Sequence, residues 1–188
     1  SPGDVPQSRG LGFVMRAFVD ADHMGDSIAR RSGTGFLVCL NSAPICWLSK
    51  KQTSVETSSF GSEFAAMKQC MDHLRGLRCK LRMMGVPCEG PACVFGDNQS
   101  VLANTTAPES TLKKKSQSVC YHFVREGSAR DEWRTAHVNA HLKPSDLLSK
   151  PIPNGVKRRG FVRVILHHVF HSVEQTRWSN HSAIQWIV

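Results

Sequence analysis

Ala17-Phe18-Val19-Asp20-Ala21-Asp22 is the stretch that decides how the rest of the chain is read. Strand-forming apolar residues run into an acid, and the chain then breaks into a polar loop containing Gly25 and the pair Arg30-Arg31. The pattern predicts a strand over residues 14–20 with a carboxylate at its end. Residues 34–40 read as a second strand and 43–48 as a third, with Asn41-Ser42 where a tight hairpin turn is expected. Turns this short make neighbouring strands antiparallel.

Downstream, Phe60, Phe64, Met67, Met71, Leu74, Leu77, Leu81 and Met84 recur at steps of three and four. That spacing is one face of a helix of several turns. Ser58 or Ser59 suits its start, and Gly85 followed by Pro87 its end. Gly76 inside it weakens the helix by about 1 kcal/mol relative to Ala. Residues 92–96 read as a fourth strand, and Asp97-Asn98-Gln99-Ser100 opens a second helix. Residues 119–130 have mixed helical character, residues 133–138 alternate as a fifth strand, and Pro144-Ser145-Asp146 looks like a helix start. Strands separated by a helix pair in parallel, so the fold class is α/β: a mixed sheet with helices packed on it.

At 188 residues and 40% apolar, the chain is long enough for one cored domain with a tail. Residues 1–12 read as a linker arriving from an upstream region, 13–153 as the domain, and 154–188 as a basic and apolar tail. In that tail Lys157-Arg158-Arg159 precede an apolar run over residues 161–170, read as a packing helix. Lys and Arg number 24 against 15 Asp and Glu, a formal +9, which favours a polyanionic partner such as nucleic acid. Seven cysteines at irregular spacing, with no C-x-x-C pair, argue against a zinc ribbon or a disulfide framework and for small core residues in a reducing compartment. No apolar run reaches the length of a membrane span and no signal peptide is evident, so neither a membrane nor a secreted setting is expected.

Four acids stand out on this outline. Asp20 and Asp97 end the first and fourth strands; if those strands are adjacent and parallel, both emerge at one edge. Glu63 is expected on the exposed side of the long helix's first turn, and Asp146 on the first turn of a later helix. Four converging carboxylates are costly unless cations neutralise them. Oxygen-only ligands suit Mg²⁺ or Mn²⁺, and two such ions about 3.5–4 Å apart can clamp a phosphodiester undergoing hydrolysis. Taken singly, each acid has a duller reading: Asp20 a turn residue, Glu63 and Asp146 helix-start charges, Asp97 a helix cap. Spacing alone favours those duller readings.

The text around the acids changes the balance. Phe18-Val19-Asp20-Ala21-Asp22-His23 through Gly25-Asp26, then Arg31-Ser32-Gly33-Thr34-Gly35-Phe36, resembles the opening of the ribonuclease H domain of copia-type LTR retrotransposon Pol polyproteins. So do Ala43-Pro44-Ile45-Cys46-Trp47-Leu48-Ser49-Lys50-Lys51-Gln52 and Glu56-Thr57-Ser58-Ser59-Phe60-Gly61-Ser62-Glu63-Phe64. Gly96-Asp97-Asn98-Gln99-Ser100, Tyr121-His122-Phe123-Val124-Arg125-Glu126 and Pro144-Ser145-Asp146-Leu147-Leu148-Ser149-Lys150-Pro151 continue the match in order, over roughly residues 13–153.

The resemblance implies a ribonuclease H-like five-stranded mixed sheet flanked by helices. It also implies hydrolysis of the RNA strand of an RNA–DNA hybrid with two Mg²⁺ or Mn²⁺ ions, and an upstream reverse transcriptase domain in the parent polyprotein. The setting it implies is a cytoplasmic virus-like particle or the nucleus. Carried over by position, Asp20, Glu63, Asp97 and Asp146 match the metal-binding acids, with Asp22 the second choice at its site. His137 falls where such domains carry a histidine that assists turnover, although a structural histidine at a strand end fits the position equally. Two motifs depart from the family's: the family's Thr-Glu-Ala-Glu is Phe60-Gly61-Ser62-Glu63 here, and the His and Asp common before Tyr-His-Phe are absent from Lys113-Lys114-Lys115-Ser116-Gln117-Ser118.

Lys50, Lys51, Asn98, Gln99, Ser100, Lys113, Lys114 and Lys115 are the groups expected to meet a nucleic-acid backbone, against the plainer reading of lysine runs as solvated loop. Trp47 and Tyr121 are expected in the core, and His167, His168 and His171 as incidental packing within an apolar run. Two other functions compete. One is a catalytically inactive ribonuclease H-like module that binds nucleic acid. The other is a strand-transferase of the integrase type, disfavoured because its Glu comes last in the chain, whereas Glu63 comes second here.

Overall fold

The computed structural model describes residues 10, 12–26, 28–106 and 118–166. Five strands form one sheet in the order β3-β2-β1-β4-β5: β1 (Met15–Asp22), β2 (Gly33–Leu40), β3 (Ala43–Lys51), β4 (Ala92–Gly96) and β5 (Trp133–His137). The first three are antiparallel neighbours, and β4 joins β1 and then β5 in parallel. The expected mixed sheet is therefore the observed one.

The β2–β3 connection is the predicted two-residue turn. Asn41 takes φ 54°, a left-handed conformation that Asn tolerates better than most residues. Its side-chain oxygen accepts the Val14 N–H at 3.0 Å, which ties the turn to the start of β1.

Helix α1 (Ser59–Met83) packs on β1 and β2. Its apolar face, Phe64, Met67, Cys70, Met71 and Leu74, meets Ala17, Val19, Phe36, Val38 and Val94 in one buried cluster. Helices α2 (Gln99–Thr106) and α3 (Ser118–Ala129) extend the same layer, adding Val101, Leu102, Tyr121 and Val124 beside Trp133. Trp133 is the anchor at that end. Its indole N–H donates to the Val124 carbonyl at 3.0 Å, and its ring lies flat against Gly127, where any Cβ would collide with it.

The opposite face of the sheet carries the short helix α4 (Asp146–Ser149), which lies along β1, β2 and β3. Among the described residues no helix is long and apolar enough to cross a membrane. All seven cysteines are free; Cys39 and Cys70 are buried, Cys46, Cys88 and Cys120 pack partly buried against the core, and Cys79 is exposed.

A second compact unit begins at Pro153. Its described part is α5 (Val156–Ile165), and Lys157-Arg158-Arg159 lie in its first turn rather than ahead of it. Gly155 occupies the N-cap, and long charged side chains are good helix formers, so the helix starts before the apolar run. Residues 167–170 of that run, and His167, His168 and His171, lie outside the described residues.

Trp47 corrects another expectation. It is 62% exposed, because β3 is an edge strand and Trp47 stands on the sheet face away from α1. Tyr121 is buried as expected.

Candidate active site

The parallel pairing of β1 with β4 sets the site. Phe18 is in register with Phe95, so Asp20 and Asp97, each two residues further along, come out at the same edge. Asp20 belongs to β1 itself, because that strand continues to Asp22. Asp97 follows β4 directly, and the helix-capping role considered for it falls to Asn98, whose side-chain oxygen accepts the Val101 N–H at 3.2 Å.

Helix α1 begins above this edge. The Ser58 hydroxyl accepts the Gly61 N–H at 3.2 Å as N-cap. Buried Gln52 donates to the Thr34 hydroxyl at 3.0 Å and to the Ser62 carbonyl at 2.8 Å, fastening the first turn to β2. Glu63 is consequently turned inward. It is half-buried and accepts the Ala21 backbone N–H, where the sequence alone had suggested an exposed face. Carboxylate oxygens of Asp20, Glu63 and Asp97 lie within 4.8 Å of one another.

The fourth acid arrives on α4. That helix sits close because β2 offers glycine: a Cβ on Gly35 would meet the Ser149 nitrogen at 2.5 Å and the Ser145 oxygen at 2.8 Å, and one on Gly33 the Ser149 oxygen at 2.6 Å. Asp146 and Asp20 are each only 1% exposed. The Ser149 hydroxyl donates to Asp20. At the centre is Lys143, fully buried at 0% exposure. Its ammonium donates to Asp20 and lies 2.8 Å from Asp97 and 3.5 Å from Asp146. Lys150, more open, reaches Asp20 at 3.4 Å and Asp146 at 3.6 Å. All four sequence-predicted acids thus share one neighbourhood.

Burial and then the Asp20 charge push the Glu63 carboxyl up to about 8, against the weaker opposing pull of Lys143. For Lys143, burial alone would lower the ammonium, but the charge of Asp20 and the hydrogen bonds to Asp20 and Asp97 outweigh it, and the net direction is upward. Lys150 moves upward for the same reason, with Asp20 and then Asp146 overcoming burial. The donor set, hard oxygens alone with three of them within 4.8 Å, fits a divalent cation of the Mg²⁺ or Mn²⁺ kind.

Other expected residues fall around this centre. His137 is exposed and paired in register with Gly96, one residue from Asp97. Gln99 and Ser100 are exposed on the first turn of α2. Lys50 and Lys51 are exposed at the end of β3, and Lys51 is ion-paired with Asp26 at 2.6 Å. Asp22 ends β1 with its carboxylate against Gly25. Lys113, Lys114 and Lys115 lie outside the described residues. Lys143, Lys150, Ser149, Gly35 and Gln52 had no assigned role from sequence. Lys143, Ser149 and Lys150 flank Asp146, Gln52 ends the Lys-Lys-Gln run and Gly35 belongs to Gly33-Thr34-Gly35, and those placements were the signal available.

No protein-family model matches the chain. Among curated proteins it is 29% identical over 144 residues to the retrovirus-related Pol polyprotein from transposon RE2 of Arabidopsis thaliana, covering 77% of this chain and 10% of the relative. The chain therefore spans about a tenth of the length of that relative. Among solved structures, the N-terminal ribonuclease H domain of rv2228c from Mycobacterium tuberculosis aligns with a TM-score of 0.56 at 12% identity, covering 73% of this chain and 91% of that one. LC11-RNase H1 from compost, in complex with an RNA/DNA hybrid, aligns with a TM-score of 0.54 at 11% identity over 73% and 93% of the two chains. At such identities the structural likeness speaks for the fold. By sequence the chain resembles part of the retrovirus-related Pol polyproteins of transposons, and its fold is the ribonuclease H-like one.

Proposed function

We propose that this chain is the ribonuclease H domain of a copia-type retrotransposon Pol polyprotein, and that it hydrolyses the RNA strand of RNA–DNA hybrids. The observation that carries the reading is the approach of Asp20, Glu63 and Asp97 to within 4.8 Å, with Asp146 held to the same lysine ammonium as Asp20 and Asp97.

Asp20, Glu63, Asp97 and Asp146 are the residues to hold two Mg²⁺ or Mn²⁺ ions, which when bound supply charge neutralisation at the phosphodiester and a more acidic water. Asp20 presents its carboxylate from β1, paired with Gly35 of β2, and Asp97 follows directly on β4, so the sheet fixes where both emerge. Glu63 is steadied by the Ala21 N–H and by Gln52's grip on the first turn of α1. Lys50, Gln99 and Ser100, all exposed, are the groups to meet backbone phosphates, with Lys51, Asn98 and Lys113 to Lys115 as further contacts. His137, exposed beside Asp97, is the group to take or give a proton as product leaves. The complex of LC11-RNase H1 with a hybrid supports the substrate, and the Pol polyprotein relatives support an upstream reverse transcriptase; a setting in virus-like particles or the nucleus belongs to the same proposal.

The test is cleavage of an RNA–DNA hybrid in Mg²⁺ by the parent chain and by Asp97→Asn. Loss of cleavage in the variant is expected; equal rates reject the nuclease. One observation favours a second reading, a module that binds hybrids without cutting: a lysine ammonium stands among the carboxylates. Calorimetric titration separates the two, since a binding-only module takes up no Mg²⁺ through these acids.

A further inference from the structure

A buried lysine amid three carboxylates is the least expected feature of the molecule. Lys143 is fully enclosed, and its single ammonium serves Asp20, Asp97 and Asp146 together. It leads into α4 from an extended connection, φ −98° and ψ 97°, after the short turn Ala140–Leu142 and before Pro144. Its backbone is fixed there, because the Lys143 carbonyl accepts the Asp146 N–H at 3.2 Å. Only the four-carbon side chain carries the charge inward. Lys150 adds a second ammonium from the open side. Two ammonium groups thus stand against four carboxylates, at the place where the donors suit a divalent ion.

We propose that Lys143 is a built-in counter-cation that holds the carboxylate cluster together in the metal-free protein and competes with divalent metal for it. The inference rests on the metal-binding reading of the four acids. An ammonium 2.8 Å from one Asp97 oxygen and in contact with one Asp20 oxygen takes up lone pairs that a divalent cation would use and repels a cation brought to them. Metal uptake therefore requires the Lys143 side chain to leave the cluster. The stem is long enough to swing its head group into solvent while the backbone stays fixed. Divalent affinity is then lowered by the fraction of molecules in which the lysine remains in place, as for any ligand whose competent state is partly populated. A device of this kind keeps the acids pre-assembled without metal, so the cluster does not fly apart by self-repulsion.

Two measurements test it, each using Mn²⁺ or Mg²⁺ alone as the probe. The first is calorimetric titration of the intact chain, of Lys143→Met and of Lys143→Gln. The variants are expected to bind at least about tenfold more tightly than the parent. They are also expected to melt at lower temperature in chelator and to regain that loss when metal is added. The second needs no variant: acylation of lysine amines followed by mass spectrometry, with exposed Lys50 as the internal reference. Lys143 is expected to be protected in chelator and labelled once metal saturates the site. Equal affinity in parent and variants, or a Lys143 that stays protected while metal is bound, overturns the competition and leaves the nuclease reading intact. Absence of carboxylate-dependent metal uptake in parent and variants alike overturns both.

Discussion

Gly35→Ala is the substitution that best tests how the site is built. Gly35 lies on β2, and its φ is not in the left-handed region, so alanine fits the backbone and only space is at issue. The added methyl would stand 2.5 Å from the Ser149 nitrogen, 2.7 Å from the Leu148 carbonyl carbon and 2.8 Å from the Ser145 oxygen. All three are backbone atoms of α4 or its flank, so no side chain can turn aside. Reaching an ordinary contact of 3.4 Å from 2.5 Å requires α4 to back away by about 0.9 Å. Overpacking of this kind costs about 1–3 kcal/mol. The same retreat stretches the hydrogen bond from Ser149 to the Asp20 carboxylate, and bonds to charged groups are worth about 1.5–3 kcal/mol. The two costs share one displacement and do not simply add, so the expected loss is about 3 kcal/mol. Because α4 also carries Asp146, hybrid cleavage should fall by about two orders of magnitude, the effect of a 1 Å misplacement at a reacting centre. Urea unfolding in chelator and cleavage in Mg²⁺ read the two effects. Gly76→Ala is the control: it is exposed in α1 with open space around it, and should gain about 1 kcal/mol. A Gly35→Ala protein as stable and as active as the parent would refute the argument that glycine seats α4.

Two further outcomes follow from the same geometry. In chelator, the raised Glu63 carboxyl keeps its proton in the folded protein over a pH range where the unfolded chain, with a value of 4.5, has lost it. Stability is therefore highest below about pH 4.5 for this group and declines as pH rises toward 8, by up to about 5 kcal/mol in total. Glu63→Gln should flatten that decline in denaturation curves from pH 5 to 8.5, and parallel profiles for the two proteins would dismiss the effect. At the other end of the core, Gly127→Ala drives a methyl into the Trp133 ring and should cost about 1–3 kcal/mol, with wild-type urea midpoints as the contrary result.

Much of the fold was legible because it is written in local pattern. The alternation around Asp20, the Asn41-Ser42 turn and the three-four spacing from Phe60 to Leu81 each specify an element without help from distant residues. The edge shared by Asp20 and Asp97 followed from one inference about parallel strands, and the register bears it out. Lys143 was not legible. A lysine next to proline reads as solvated, and only an encounter with Asp20, 123 residues away, makes it a buried cation. Glu63 was misjudged because helical phase says which side faces the sheet, but not that the Ala21 N–H at the end of β1 reaches the Glu63 carboxylate. Trp47 was misjudged for a related reason: large apolar residues are usually inside, and nothing in the sequence marks β3 as an edge.

The bonds that close on Asp20 span 123 and 129 residues of chain. Contacts that distant are slow to find, since the intervening loop must be closed before they return any energy. A nascent chain that has emerged only through β5 has all its strands but neither Lys143 nor Ser149, and its carboxylates repel unchecked. The cluster is thus completed by pieces that follow the last strand, and a polypeptide interrupted before residue 143 lacks both ammonium groups that face its carboxylates.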